Sequence, residues 1–164
     1  MRGPVAAMAV AAAVACAPPA VEQAAAPPAV DSAGVTQAVE DLWSRYAAAD
    51  TAGNVDAVMA LYTETARLDA QGVPPALGRA AIDSVARMMT ASRDINSLMI
   101  HTAATYVVSN EMAYTRGTYM ENYVANKKTA TDYGRYAGAV VKGADGQWRI
   151  QYLMAFVDST VQGR

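Results

Sequence analysis

An α+β fold, with helices packed against one face of a bent antiparallel sheet, is what this chain of 164 residues predicts. Three observations carry that reading. Apolar residues recur at helical spacing as far as Met89, the pattern changes to alternation from Ile95 onward, and the alternating segments are joined by turns short enough to make neighbours antiparallel. A hydrophobic content of 53% supplies a core for one domain of ordinary size.

The N-terminus, MRGPVAAMAVAAAVAC, places Arg2 before an apolar run that ends in small residues, the pattern of an export signal and too short for a bilayer-spanning helix. Cys16 is the only cysteine, so no intramolecular disulfide can form. The run Ala13-Val14-Ala15-Cys16 resembles a bacterial lipoprotein signal, in which the Cys carries lipid and begins the mature chain, although Leu is usual where Ala13 stands. A plain secretory signal with an incidental Cys is the other reading. The expectation is export to the cell envelope as a periplasm-facing lipoprotein, otherwise secretion, with residues 1–15 as signal and 16–34 as an Ala- and Pro-rich tether. The domain is expected over 35–158 and a tail over 159–164.

Val35, Val39, Leu42, Trp43 and Tyr46 fall on one face of a first helix, which Asp31 or Ser32 could cap. After the break from Asp50 to Gly53, Asn54 is an N-cap for a short second helix with the stripe Val55, Val58, Met59 and Tyr62. Ala66–Ala70 is a short piece running into a loop at Gln71-Gly72-Val73-Pro74-Pro75, since the Pro pair forbids a regular ladder. A third helix follows Gly78 with Ile82, Val85, Ala86 and Met89 on one face, ending near Ser92 or Arg93. Strands are expected at 95–108, 112–124, 131–142 and 148–157, rich in Tyr, Val, Thr and Ile and connected as a meander. Bent over the helices, such a sheet encloses a conical hollow.

The formal net charge of -2 and the scattered Lys and Arg residues argue against a nucleic-acid partner. One His, one Cys within the signal region and no E-x-x-H or H-x-H spacing leave no ligand set for a metal. No G-x-G-x-x-G follows a strand, and there is no Walker-type loop or G-x-S-x-G elbow. No cofactor is expected.

Trp43-x-x-Tyr46, Gly53-Asn54-Val55-Asp56-Ala57, Leu61-Tyr62, Gly78-Arg79, Arg116-Gly117-Thr118-Tyr119, Gly134-Arg135-Tyr136 and Asp145-Gly146-Gln147-Trp148 occur in this order. Together they resemble the nuclear transport factor 2-like superfamily, in particular its SnoaL-like and ketosteroid-isomerase-like members, over residues 35–158. The resemblance implies a cone-shaped domain, a homodimer through the outer sheet face, and an apolar pocket for a small apolar or amphipathic molecule. It fixes no reaction, because one scaffold of this kind hosts isomerases, dehydratases, cyclases and non-catalytic association domains.

In ketosteroid isomerase an Asp moves the proton, and a Tyr and a protonated carboxylic acid form the oxyanion hole. By resemblance Tyr46 keeps the hydroxyl donor, the proton-transfer position falls at Ala70 beside Asp69, and the second acid falls at Tyr136. Adjacent strand residues point to opposite faces, so Asp69 serves only if the register slips by one. His101 can be a general base titrating near neutrality, paired with Asp69, or simply an exposed strand residue. Catalytic candidates are therefore Tyr46, Asp69 and His101. Ligand-binding candidates are Trp43, Tyr62, Tyr119, Tyr136 and Arg116, although tyrosines also favour strands and interfaces and Arg116 can equally sit on an exposed ladder. An isomerase, dehydratase or cyclase without a cofactor stands beside a non-catalytic dimerisation or partner-binding module.

Overall fold

The computed structural model describes residues 29–163; the expected signal, Cys16 and most of the expected tether lie outside the described residues. Helix α1 spans Ser32–Thr51, and the Asp31 carboxylate caps it by accepting from the Gly34 N–H at 2.9 Å. The start of α1 is tied to the far end of the sheet, where Asn110 accepts from the Asp31 N–H and donates to the Ala29 carbonyl. Its apolar stripe buries Val35, Val39, Leu42 and Trp43. Helix α2, Val55–Met59, is capped by Asn54, which accepts from the Ala57 N–H at 3.0 Å.

Tyr62 is not on α2. It begins strand β1, Tyr62–Ala70, a nine-residue strand where the sequence suggested only a short piece after Ala66. Its burial does not alternate cleanly, because the register against its neighbour shifts between Tyr62 and Arg67. A two-residue strand β2, Ala76–Leu77, turns back on β1 after the Pro pair. Helix α3, Arg79–Ser92, follows with Ile82 buried in its first turn. The three helices are thus not a consecutive N-terminal block: β1 and β2 intervene between α2 and α3.

Strands β3 (Asp94–Ser109), β4 (Met112–Ala125), β5 (Lys128–Lys142) and β6 (Trp148–Gln162) form the expected antiparallel meander. The β4–β5 turn has positive φ at both Asn126 and Lys127, the backbone of a tight two-residue hairpin. Residues 159–162, expected in a tail, pair with β5, because β5 begins early enough at Lys128 to give them a partner. The six strands run in the order β2-β1-β6-β5-β4-β3, with β1 parallel to β6.

The sheet is curved, and two devices bend it. Register shifts interrupt β3 against β4 and β5 against β6, each adding local twist. Two cross-strand pairs also place a glycine against a tyrosine, Gly117 opposite Tyr136 and Tyr119 opposite Gly134. A Cβ on Gly134 would collide with the Tyr119 ring and the Phe156 carbonyl, and one on Gly117 with the His101 carbonyl and the Tyr136 ring. Only glycine lets both phenol rings lie down across the neighbouring strand and face the helices. The main core fills the hollow from the β1–β6 side, with Tyr62, Leu42, Ile82, Ile150, Val39 and Val140 its largest fully buried side chains.

Candidate functional site

Between α1, α3 and the concave face of the sheet lies a cavity of about 200 Å³. Its aromatic wall consists of Trp43 and Tyr46 from α1, Tyr62 from β1, Tyr119 from β4 and Tyr136 from β5. Trp43 packs edge-on against Tyr46 and Tyr136, with ring centroids 5.8 and 4.8 Å apart, and Tyr46 packs edge-on against Tyr62 at 6.4 Å. The Tyr136 hydroxyl is held by the Thr102 hydroxyl at 2.7 Å. Apolar side chains, among them Leu68, Ile82, Leu98, Ile100 and Leu153, complete the lining.

Four charged residues share this apolar space: Asp50 from the last turn of α1, Arg93 just after α3, Glu121 from β4 and Asp132 from β5. Glu121 and Asp132 are direct cross-strand partners and are only 7% and 5% exposed. The Arg93 guanidinium lies against both, Nη2 at 3.0 Å from Glu121 Oε1 and Nη1 at 3.7 Å from Asp132 Oδ2, and stacks on the Tyr123 ring at 4.9 Å. Asp132 is fixed further by the Thr160 hydroxyl, which donates to Oδ1 at 2.6 Å, and by the Tyr123 hydroxyl at 3.4 Å.

Glu121 is held less firmly. Its contact with Arg93 is an ion-pair approach off the axis of a hydrogen bond, and among the described residues Oε1 is a buried oxygen with no hydrogen-bond partner. Burial pushes its carboxyl up to about 7; Arg93 opposes this, while Asp50 and Asp132 add to it. Near neutrality Glu121 can therefore both accept and return a proton. Burial likewise raises Asp50, against the pull of Arg93. Burial, followed by the neighbouring Tyr62 and Asp50, holds the Tyr46 phenol well above its ordinary range, so it remains a hydrogen-bond donor. Among the described residues the Trp43 Nε1–H and the Arg93 Nε–H are also buried without hydrogen-bond partners.

Of the residues singled out from sequence, Trp43, Tyr46, Tyr62, Tyr119 and Tyr136 come together at the cavity. Asp69, His101 and Arg116 do not. Ala70 lines the cavity while Asp69, its neighbour on β1, points to the other face, where it accepts from Arg67 Nε and from the Tyr152 hydroxyl at 2.8 Å. Those hydrogen bonds, Arg67 first, lower its pKa, opposite to what a proton-transfer acid at neutral pH requires. On β3, Ile100 lines the cavity and Thr102 binds Tyr136, so His101 between them faces outward and is exposed. Arg116 is also exposed and donates to the Tyr106 hydroxyl at 3.2 Å on the convex face. The residues missed by sequence reasoning are Asp50, Arg93, Glu121 and Asp132. Their signal is faint: two acids on alternating strands register as solvent-facing until pairing and an inward-facing Arg are known.

The residues 32–154 match the SnoaL-like domain family, three quarters of the chain, and the protein belongs to that family. Solved structures agree on the fold. A ketosteroid isomerase-like protein from Erwinia carotovora atroseptica superposes with a TM-score of 0.70 at 18% identity, over 75% of this chain and 95% of that one. A candidate scytalone dehydratase from Novosphingobium aromaticivorans gives 0.69 at 19% identity, over 80% and 89%. ActVI-ORFA from Streptomyces coelicolor gives 0.64 at 17% identity, over 76% and 98%. Among curated proteins none matches the chain significantly.

Proposed function

We propose that the cavity binds a small apolar or amphipathic molecule and moves a proton on it, in an isomerase-, lyase- or cyclase-type reaction that draws on side chains alone. The observation that carries this reading is Glu121: a buried carboxyl lining the cavity, with an oxygen that has no hydrogen-bond partner among the described residues and a proton affinity raised to about 7. A carboxyl so placed abstracts a proton from carbon next to a carbonyl and returns it elsewhere, while the Tyr46 hydroxyl donates to the oxygen that gains charge. Arg93 lies against Glu121 and is itself held by Asp132. Likeness to a ketosteroid isomerase-like protein and a candidate dehydratase is consistent with such chemistry.

The test is solvent deuterium exchange into the α-carbon of small cyclic ketones, followed by NMR. The domain should accelerate exchange, and Glu121→Gln should slow it by about 10²–10⁴-fold. Equal rates for both proteins would remove Glu121 from catalysis.

A second reading is a dimerising or partner-binding module, favoured by the convex sheet face, which exposes Met99, Tyr106, Val108, Tyr114, Tyr133 and Phe156. An apolar surface of this kind suits a homodimer, and sedimentation of the domain with Tyr114→Glu as control tests it. We also propose an envelope location with a lipid on Cys16, on the signal-like residues 2–16; unaltered membrane fractionation of Cys16→Ala would count against the lipid.

A further inference from the structure

The cavity's size and charge together restrict what can occupy it. An apolar cavity of about 150 Å³ accommodates benzene, and this one measures about 200 Å³. That volume matches one ring with a small substituent, and additional rings would extend beyond it. Its charged lining is lopsided, with three carboxyls, Asp50, Glu121 and Asp132, against the single guanidinium of Arg93. That guanidinium is already committed to Glu121 and Asp132 through Nη2 and Nη1. An entering anion would meet excess negative charge in a poorly hydrated space. A cation would exchange full hydration for a site whose deepest carboxylate, Asp132, is already satisfied by Arg93, Thr160 and Tyr123.

What the site leaves unmet is hydrogen bonding rather than charge. Among the described residues Trp43 Nε1–H and Arg93 Nε–H are donors without hydrogen-bond partners, and Glu121 Oε1 accepts no hydrogen bond; Trp43 and Glu121 are each more than nine-tenths buried. A carbonyl or hydroxyl oxygen answers donors and carboxyl alike without importing charge.

We propose that the preferred ligand is an uncharged molecule of about one ring bearing a single carbonyl or hydroxyl oxygen, and that carboxylates, amines and steroids are discriminated against. The inference rests on the reading of this cavity as a small-molecule site, and it narrows that reading to a ligand class.

The test is an NMR titration of the domain with five probes at neutral pH: cyclohexanone, phenol, benzoate, benzylammonium and androstenedione. Cyclohexanone or phenol should bind at least about tenfold more tightly than either ion, and androstenedione should gain nothing from its extra rings. Ala70→Phe, which fills the cavity from the end of β1, should abolish the response. His101→Gln, exposed on the opposite face of the sheet, should keep neutral-ligand affinity within about threefold and serves as the folded control. Benzoate, benzylammonium or the steroid binding as well as the neutral ring compounds would overturn the proposal, as would failure of both cyclohexanone and phenol to bind. This outcome is separable from the catalytic one. A cyclic ketone that binds but exchanges no deuterium defeats proton transfer and leaves the ligand class standing. An ion or steroid that binds tightly defeats the ligand class even if small ketones are exchanged.

Discussion

Glu121 and Asp132 face each other across β4 and β5, both buried, with Arg93 lying against the two. Like charges directly opposite on neighbouring strands repel, and repel more strongly away from water. The arrangement is tolerable because Arg93 supplies one positive charge and Glu121 retains its proton far above the usual carboxylate range. A buried cluster of this kind is weak evidence for stability and better evidence for a site.

Glu121 should therefore make the fold less stable as pH rises. Its carboxyl is raised from 4.5 to about 7 in the folded chain, so between those values the folded state holds a proton that the unfolded state has released. Stability falls through that window and levels off above it. Glu121→Gln should flatten this part of the profile, measured as the difference between wild-type and variant urea midpoints across the window. Parallel profiles would show that Glu121 does not hold the extra proton.

Removing Arg93 should be costly in a pH-dependent way. Arg93→Met leaves two facing carboxyls without a cation, which at about pH 8 should cost on the order of 3 kcal/mol of unfolding free energy. The loss should shrink toward about pH 5, where Glu121 is protonated, and the double variant with Glu121→Gln should recover part of it. Denaturant titrations of the three variants at both pH values check this, and a loss independent of pH would point to lost packing on Tyr123 instead.

Gly134→Ala should destabilise by about 2 kcal/mol, since its Cβ meets both the Tyr119 ring and the Phe156 carbonyl. Adding Tyr119→Ala should not restore stability, because the carbonyl is backbone and remains in the way. Thermal unfolding of the two proteins makes the comparison; full recovery would mean that the β5–β6 backbone yields more readily than its register implies.

The two faces of the sheet should separate in their effect on deuterium exchange. Tyr46→Phe should reduce the rate by about tenfold or more through loss of one donor to the developing charge. His101→Gln and Asp69→Asn alter the opposite face and should leave the rate unchanged. A loss in either would bring that residue back into the chemistry.

The periodicities of α1 and α3, the Asp31 and Asn54 caps and the meander of β3 to β6 were legible in the sequence because each is a local pattern with its own stop signals. β1 was not, because Tyr62 continues the apolar stripe of α2 at helical spacing and its strand lacks alternation. Strand alternation about Ala70 correctly implied that Asp69 points away from the hollow. The acid–arginine cluster stayed hidden for a different reason. Arg93, Glu121 and Asp132 are far apart in sequence, and only the β4–β5 register sets the two acids face to face. Sequence resemblance drew attention to the positions held by Ala70 and Tyr136, whereas here the carboxyls come from α1, β4 and β5.

The parallel pairing of β1 with β6 carries a kinetic consequence. β1 has only the two-residue β2 beside it until the last strand of the chain arrives on its other side. That closure joins segments such as Leu68 and Leu153, about two thirds of the domain apart in sequence, and non-local pairings of this type slow folding. The part of β1 that lines the cavity, through Leu68 and Ala70, is therefore flanked on both sides only once Trp148–Gln162 has docked against it.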